Sequence, residues 1–317
     1  MTLTIVRRAL ASAIALVTLA VAVPLSAPSA QTGRPGKLVL AVQPTSTPEQ
    51  LTADAKDLRE YLSKRLGREV EIVFPMTYAG VVEALRFGHA HGAFMSAWPA
   101  QLAVKHAKAE VALAEVREVV IGQDKREETF YYSYWVVARD SQVDKLEQLR
   151  GKRAAFPSPL STSGYVAPLA RLVELGFVPA AAGKEADPKA FFTDVRFAGG
   201  YAQGWEALKA QQVDVTVIAG DVSEKLYREV QAGTKVVETQ GPIPSHAVVF
   251  ARELDPASKT QLSDALVDLG KPEHRPLMRK FISGIFVGFR PTTAAQHLGP
   301  LDKFLGQTQI AFVERMR

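Results

Sequence analysis

From Lys37 onward, extended and helical patterns alternate almost without a break, and the alternation starts afresh near residue 140. Residues 37–43, KLVLAVQ, form an apolar run of strand length. After Pro44-Thr45-Ser46-Thr47-Pro48 the apolar spacing becomes helical, with Leu51, Leu58, Leu62 and Leu66 on one face and Gly67 as the stop. Residues 69–74 alternate as a strand, 79–87 are helical, 92–97 are a short strand and 99–107 a helix. Two longer extended runs follow at 111–121 and 130–139, rich in valine and aromatics. The second series has a short helix at 144–150 and a strand at 153–156. A helix ends at Gly176, strands at 194–197 and 214–218 are each followed by a helix, and 235–238 is extended. Gly241-Pro242-Ile243-Pro244 breaks the pattern. Residues 246–252 return as a strand, and three helical segments with one extended stretch at 285–289 complete the chain.

Such alternation argues for an α/β fold with mostly parallel sheets and helices on both faces. About ten strands exceed one comfortable sheet. The restart therefore predicts two lobes: residues 37–136, then 137–243, then a return to the first lobe over 244–317. Two extended crossings, 130–139 outward and 238–248 back, would form the hinge. A single doubly wound sheet is the alternative.

The first thirty residues stand outside this pattern. Arg7 and Arg8 precede an uncharged Ala/Leu/Val run over 9–23, Pro24 breaks it, and small residues follow from Ser26 to Ala30. This is the layout of a secretory signal peptide, cleaved after Ala27 or Ala30, and it predicts a periplasmic product. A retained N-terminal anchor is the alternative. Removing this segment takes two basic side chains and no acidic one, so the formal net charge falls from +5 to +3. That mildly favours an anionic small ligand and is too little to argue for nucleic acid. The chain has no cysteine, which excludes disulfides, thiolate metal sites and a cysteine nucleophile.

Enzyme signatures are missing: no G-x-S-x-G elbow, no phosphate-binding G-x-x-x-x-G-K-[ST] loop, no G-x-G-x-x-G and no H-E-x-x-H. His89 and His91, without a carboxylate pattern, read as a solvated turn rather than a metal site. No cofactor is expected. The most informative segment is Phe156-Pro157-Ser158-Pro159-Leu160-Ser161-Thr162-Ser163-Gly164-Tyr165, joining a strand to a helix that should begin near Gly164. A helix start presents free N–H groups and partial positive charge, both suited to an anion. Ser161, Thr162 and Ser163 add rotatable donors, and Gly164 would let a ligand approach the backbone. A plain helix cap would need only one of these hydroxyls.

S-T-S-G-Y-x-x-P after a strand, together with Thr77-Tyr78-Ala79-Gly80-Val81-Val82-Glu83-Ala84-Leu85-Arg86-Phe87-Gly88 and the strand that follows, resembles the phosphate/phosphite/phosphonate-binding proteins of ABC importers. The likeness spans nearly the whole chain from Lys37. It implies a two-lobed periplasmic binding fold of type II with a ligand in the interlobe cleft. By position, Ser161, Thr162 and Ser163 would hold phosphoryl oxygens and Tyr78 would reach across from the first lobe. Met95 stands where many relatives carry a ligand-facing tyrosine, and Ser96 or Trp98 would compensate. Gly200 replaces a histidine of some relatives, with Tyr201 beside it. His246 stands where aminophosphonate-binding relatives place an aspartate.

Histidine there would donate to an anion where aspartate would attract an amine. The resemblance therefore implies phosphate, phosphite or a phosphonate lacking an amine. Asp221 would serve an amine or cap the helix after residues 213–219. The implied partners are a small anionic ligand and a membrane permease, with no nucleic acid and a monomeric protein. Three alternatives stay open: another anion such as a sulfonate or carboxylate, an enzyme on the same fold, and a sensory receptor module.

Overall fold

The computed structural model describes residues 36–121 and 123–311, so the segment read as a signal peptide lies outside the described residues. Twelve strands form two sheets. The first contains β1 (Lys37–Val42), β2 (Glu69–Val73), β3 (Gly92–Met95), β4 (Glu110–Ile121) and β5 (Asp124–Glu128). The second contains β6 (Phe130–Ala138), β7 (Arg153–Phe156), β8 (Asp194–Phe197), β9 (Val215–Ala219) and β10 (Thr234–Pro244). The first is then completed by β11 (Ala247–Phe250) and β12 (Phe286–Pro291). Strand order is β12-β4-β11-β3-β1-β2, with β5 on β4, in the first sheet, and β10-β6-β9-β7-β8 in the second. The chain thus enters the second sheet at Phe130 and leaves it after Pro244.

The helices are α1 (Pro48–Leu66), α2 (Tyr78–Arg86), α3 (Ala97–Ala107), α4 (Ala167–Glu174), α5 (Tyr201–Lys209) and α6 (Glu224–Gly233). Four more, α7 (Pro256–Asp268), α8 (Arg275–Phe281), α9 (Ala294–Leu298) and α10 (Leu301–Thr308), close the chain. Among the described residues no helix is long and apolar enough to cross a membrane.

Local chemistry sets these elements. In α1 the Thr47 hydroxyl accepts from Gln50 N–H at 3.3 Å and Pro48 occupies a first-turn position that needs no donor. Gly67, at φ 62°, ends the helix in the left-handed region. Its buried face, Leu51, Ala55, Leu58, Leu62 and Leu66, packs with Leu38, Leu40, Leu262 and Phe281 in one apolar core. A second core gathers the second sheet around Trp135 and Phe156 and extends to α2 and α3.

Three expectations are corrected. Both sheets are mixed rather than mostly parallel: β1 pairs parallel with β2 and β3, and β7 with β8 and β9, whereas β4, β6, β10, β11 and β12 pair antiparallel. The long strands at the crossings reverse direction, which simple alternation does not reveal. The charged stretch Asp-Lys-Arg-Glu-Glu is strand β5, running from Ile121↔Asp124 to Arg117↔Glu128 along β4; it is largely exposed, so it carries no apolar signature. Gly241–Pro244 does not break the sheet. It ends an eleven-residue β10 that lies at the sheet edge with register shifts at 236/238 and 240/243, positions where proline interrupts little of the ladder.

Candidate functional site

The loop after β7 ends at Ser161, whose Oγ accepts from Gly164 N–H at 3.0 Å. The helix therefore starts at Thr162, two residues before the expected position. It makes one wide turn over Thr162–Val166 and runs on into α4. Gly164 is required for a reason other than ligand approach: a Cβ there would stand 2.1 Å from Pro157 Cγ and 2.7 Å from Ser161 Oγ. The Pro157 ring packs on the turn and leaves no room for a side chain.

All three hydroxyl residues are buried, and groups from several elements meet on them. Trp98 N–H, in the first turn of α3, donates to Thr162 Oγ1 at 2.8 Å. The Tyr201 hydroxyl, at the start of α5, lies 3.2 Å from Ser161 Oγ and 2.7 Å from Ser163 Oγ. The Tyr131 hydroxyl, on β6, donates to Ser163 Oγ at 2.7 Å. Tyr78 opens α2 behind its cap Thr77, which accepts from Gly80 N–H at 3.0 Å; its hydroxyl is buried beside Ser161. Burial raises the pKa of Tyr78, Tyr131 and Tyr201, so all three remain neutral phenols able to donate.

A charged group adjoins this hydroxyl ledge. Arg117 is fully buried on β4, with Nη2 2.9 Å from Glu115 Oε2 and 2.5 Å from Asp221 Oδ2, and its Cζ stands 4.0 Å over the Tyr131 ring. Burial opposes the guanidinium charge, but the fields of Asp221 and Glu115 outweigh it and hold Arg117 protonated. For Asp221 burial dominates: its carboxyl rises to about 6, with Arg117 pulling down and Glu115 pushing up.

His246, in the link between β10 and β11, completes the group. Ser96 N–H donates to Gln43 Oε1 at 2.9 Å, so the Gln43 amide presents its NH2 to His246 Nε2 at 3.3 Å. That geometry assigns the ring proton to Nδ1, which faces Glu115 at 3.6 Å, while Nε2 is 3.5 Å from Asp221. Burial, with Arg117 adding to it, keeps His246 neutral, far below its ordinary pKa. Nε2 is thus engaged by Gln43, and the cluster sets one guanidinium between two carboxyl groups.

Of the residues singled out from sequence, Ser161, Thr162, Ser163, Tyr78, Tyr201, Asp221 and His246 are brought into this one neighbourhood. Ser96 joins it through its backbone N–H, and its own hydroxyl has no partner among the described residues. Met95 is packed in the apolar core opposite Ala247 and brings no polar atom. Asp221 does not cap the following helix, which begins at Glu224 behind Ser223; it is turned to Arg117 instead. Gly200 permits a close approach, since a Cβ would stand 3.2 Å from the Thr45 carbonyl. Sequence reasoning missed Gln43, Glu115, Arg117 and Tyr131. The signal for two of them was present: Glu115 and Arg117 lie two apart inside an apolar strand, so both point the same way.

A model of the family described as "ABC transporter, phosphonate, periplasmic substrate-binding protein" matches residues 40–297. The phosphate-import protein PhnD of Mycolicibacterium smegmatis is 32% identical over 170 residues, covering 53% of this chain and 50% of the relative. The phosphonates-binding periplasmic protein of Escherichia coli is 24% identical over 245 residues, covering 75% of this chain and 66% of the relative. The chain thus spans about half to two thirds of the length of these curated relatives. Among solved structures, a binding protein component of an ABC phosphonate transporter from Pseudomonas aeruginosa superposes with a TM-score of 0.70 at 20% identity, covering 86% of each chain.

Proposed function

This chain belongs to the phosphonate periplasmic substrate-binding family of ABC transporters, and we propose that it captures a small phosphorus oxyanion (phosphonate, phosphite or phosphate) between its two sheets. One observation carries the reading: hydroxyl and N–H groups from α2, α3, β6 and α5 gather at the helix start Ser161–Thr162–Ser163. Tetrahedral oxyanions need several donors from different directions, and neutral hydroxyls supply them without the desolvation cost of a buried cation.

Each sheet with its helices acts as a lobe in this reading, joined by the chain crossings at Thr129–Phe130 and Pro244–Ser245. Opening would part Trp98, Tyr78 and Arg117 from Ser161–Ser163, Tyr201 and Asp221. Closure over a ligand would turn the serine hydroxyls from the tyrosines to the oxyanion and expel water, strengthening each charge-assisted hydrogen bond. No bond is made or broken. The closed form would be read by a membrane permease, after export led by the N-terminal segment.

The test is thermal unfolding of the chain from Gln31 onward with phosphate, phosphite, methylphosphonate, 2-aminoethylphosphonate and sulfate. A ligand at 100 times its Kd adds about 2.7 kcal/mol of stability. A shift with one of the phosphorus compounds is expected. A shift with sulfate and none of them would overturn the substrate class.

A further inference from the structure

Arg117 is an internal cation placed where the site's carboxylates are. Its Nη2 serves Asp221 and Glu115 together, at 2.5 and 2.9 Å, while Nε and Nη1 have no hydrogen-bond partner among the described residues. The guanidinium lies under the Tyr131 ring, and the hydroxyl of that tyrosine reaches Ser163 at 2.7 Å, so one side chain separates the charge from the hydroxyl ledge. Glu115 and Arg117 come from the first sheet and Asp221 from the second, so the pairing also spans the two.

Two buried carboxylates without a counter-ion would be a strong receptor for an ammonium group. With one guanidinium shared by both carboxylates, an incoming ammonium meets a like charge already paired with them, although Glu115 Oε1 keeps no hydrogen-bond partner among the described residues. The two unpaired nitrogens, being donors only, suit an anion or a neutral acceptor. We propose that Arg117 is a specificity-determining residue: it fills the cation position of the site, so that the protein takes phosphorus oxyanions with uncharged substituents and rejects aminoalkyl phosphonates. This rests on the reading that the site takes phosphorus oxyanions at all.

Titration calorimetry with methylphosphonate and 2-aminoethylphosphonate tests it. The wild type should bind methylphosphonate at least tenfold more tightly. The double variant Arg117→Met/Glu115→Gln removes the cation together with one carboxylate, and leaves Asp221 without its ion-pair partner. It should move the ratio toward the aminoethyl compound tenfold or more; any smaller shift overturns the proposal. Should the double variant not fold, Asp221→Asn decides: by leaving more of the guanidinium unneutralised it should raise the methylphosphonate preference threefold or more, and a smaller change overturns the proposal. A wild type that binds both compounds within tenfold of each other overturns the proposal alone. A folded wild type that binds neither overturns the functional reading with it.

Discussion

The hydroxyl ledge at Ser161–Ser163 and the charged cluster around Arg117 are equally buried, yet they are held in opposite ways. On the ledge the contacts join neutral groups, and the protons of the hydroxyls among them rotate, so those partners can be exchanged for a ligand at little cost. In the cluster a guanidinium is locked between two carboxylates, and losing it strands both of them away from water. Under the proposed function the two regions divide the labour: adaptable donors would face the solute, and fixed charges would set the field in which it sits.

The largest effect should follow from breaking the cluster. Arg117→Ala leaves Glu115 and Asp221 without their cation and should lower unfolding free energy by about 3–5 kcal/mol, measured by urea denaturation. If the loss were no larger than that of a ledge variant, the division would not hold. On the ledge, Ser163→Ala leaves the Tyr131 and Tyr201 hydroxyls short of a partner and should cost about 1–3 kcal/mol, while weakening oxyanion binding at least tenfold.

The clusters also separate by pH. Asp221 has a folded pKa of about 6 against an ordinary 3.8, so its stabilising contribution is complete below 3.8 and is lost as pH rises through 6. The stability difference between wild type and Asp221→Asn should therefore shrink in the wild type's favour by on the order of 2 kcal/mol from pH 7 to pH 4. A Ser163→Ala difference should stay flat over that range. His246 works the other way, since its depressed pKa costs stability as pH falls below the ordinary value near 6.5. At the small end, the exposed pair Lys37–Glu71 at 2.6 Å should show little or no coupling in a double-mutant cycle, which calibrates what burial adds.

The two regions also differ in how legible they were. Ser161, Thr162 and Ser163 stand in a row at a strand-to-helix turn, and local chemistry points to donors there whatever the rest of the fold does. The strand–helix alternation likewise marks most elements, because apolar spacing is a local property. The cluster is assembled from β4, the turn after β9 and the link before β11, and only the topology brings these together. Glu115 and Arg117 could be seen as odd charges in an apolar strand, but their partner Asp221 could not be chosen from sequence, where a capping role fits it somewhat better. Gly164 shows a subtler failure: the residue was marked correctly for a close approach, but the group approaching is Pro157. Strand β5 escaped because an exposed edge needs no apolar side chains.

A crystal structure of the protein grown with methylphosphonate or phosphate would show whether the hydroxyl ledge holds the solute. Phosphoryl oxygens are expected within hydrogen-bonding reach of Ser161 and Ser163 Oγ, with the tyrosine hydroxyls turned onto the same oxyanion. Serine hydroxyls still bonded only to Tyr131 and Tyr201, with the solute bound elsewhere, would contradict it.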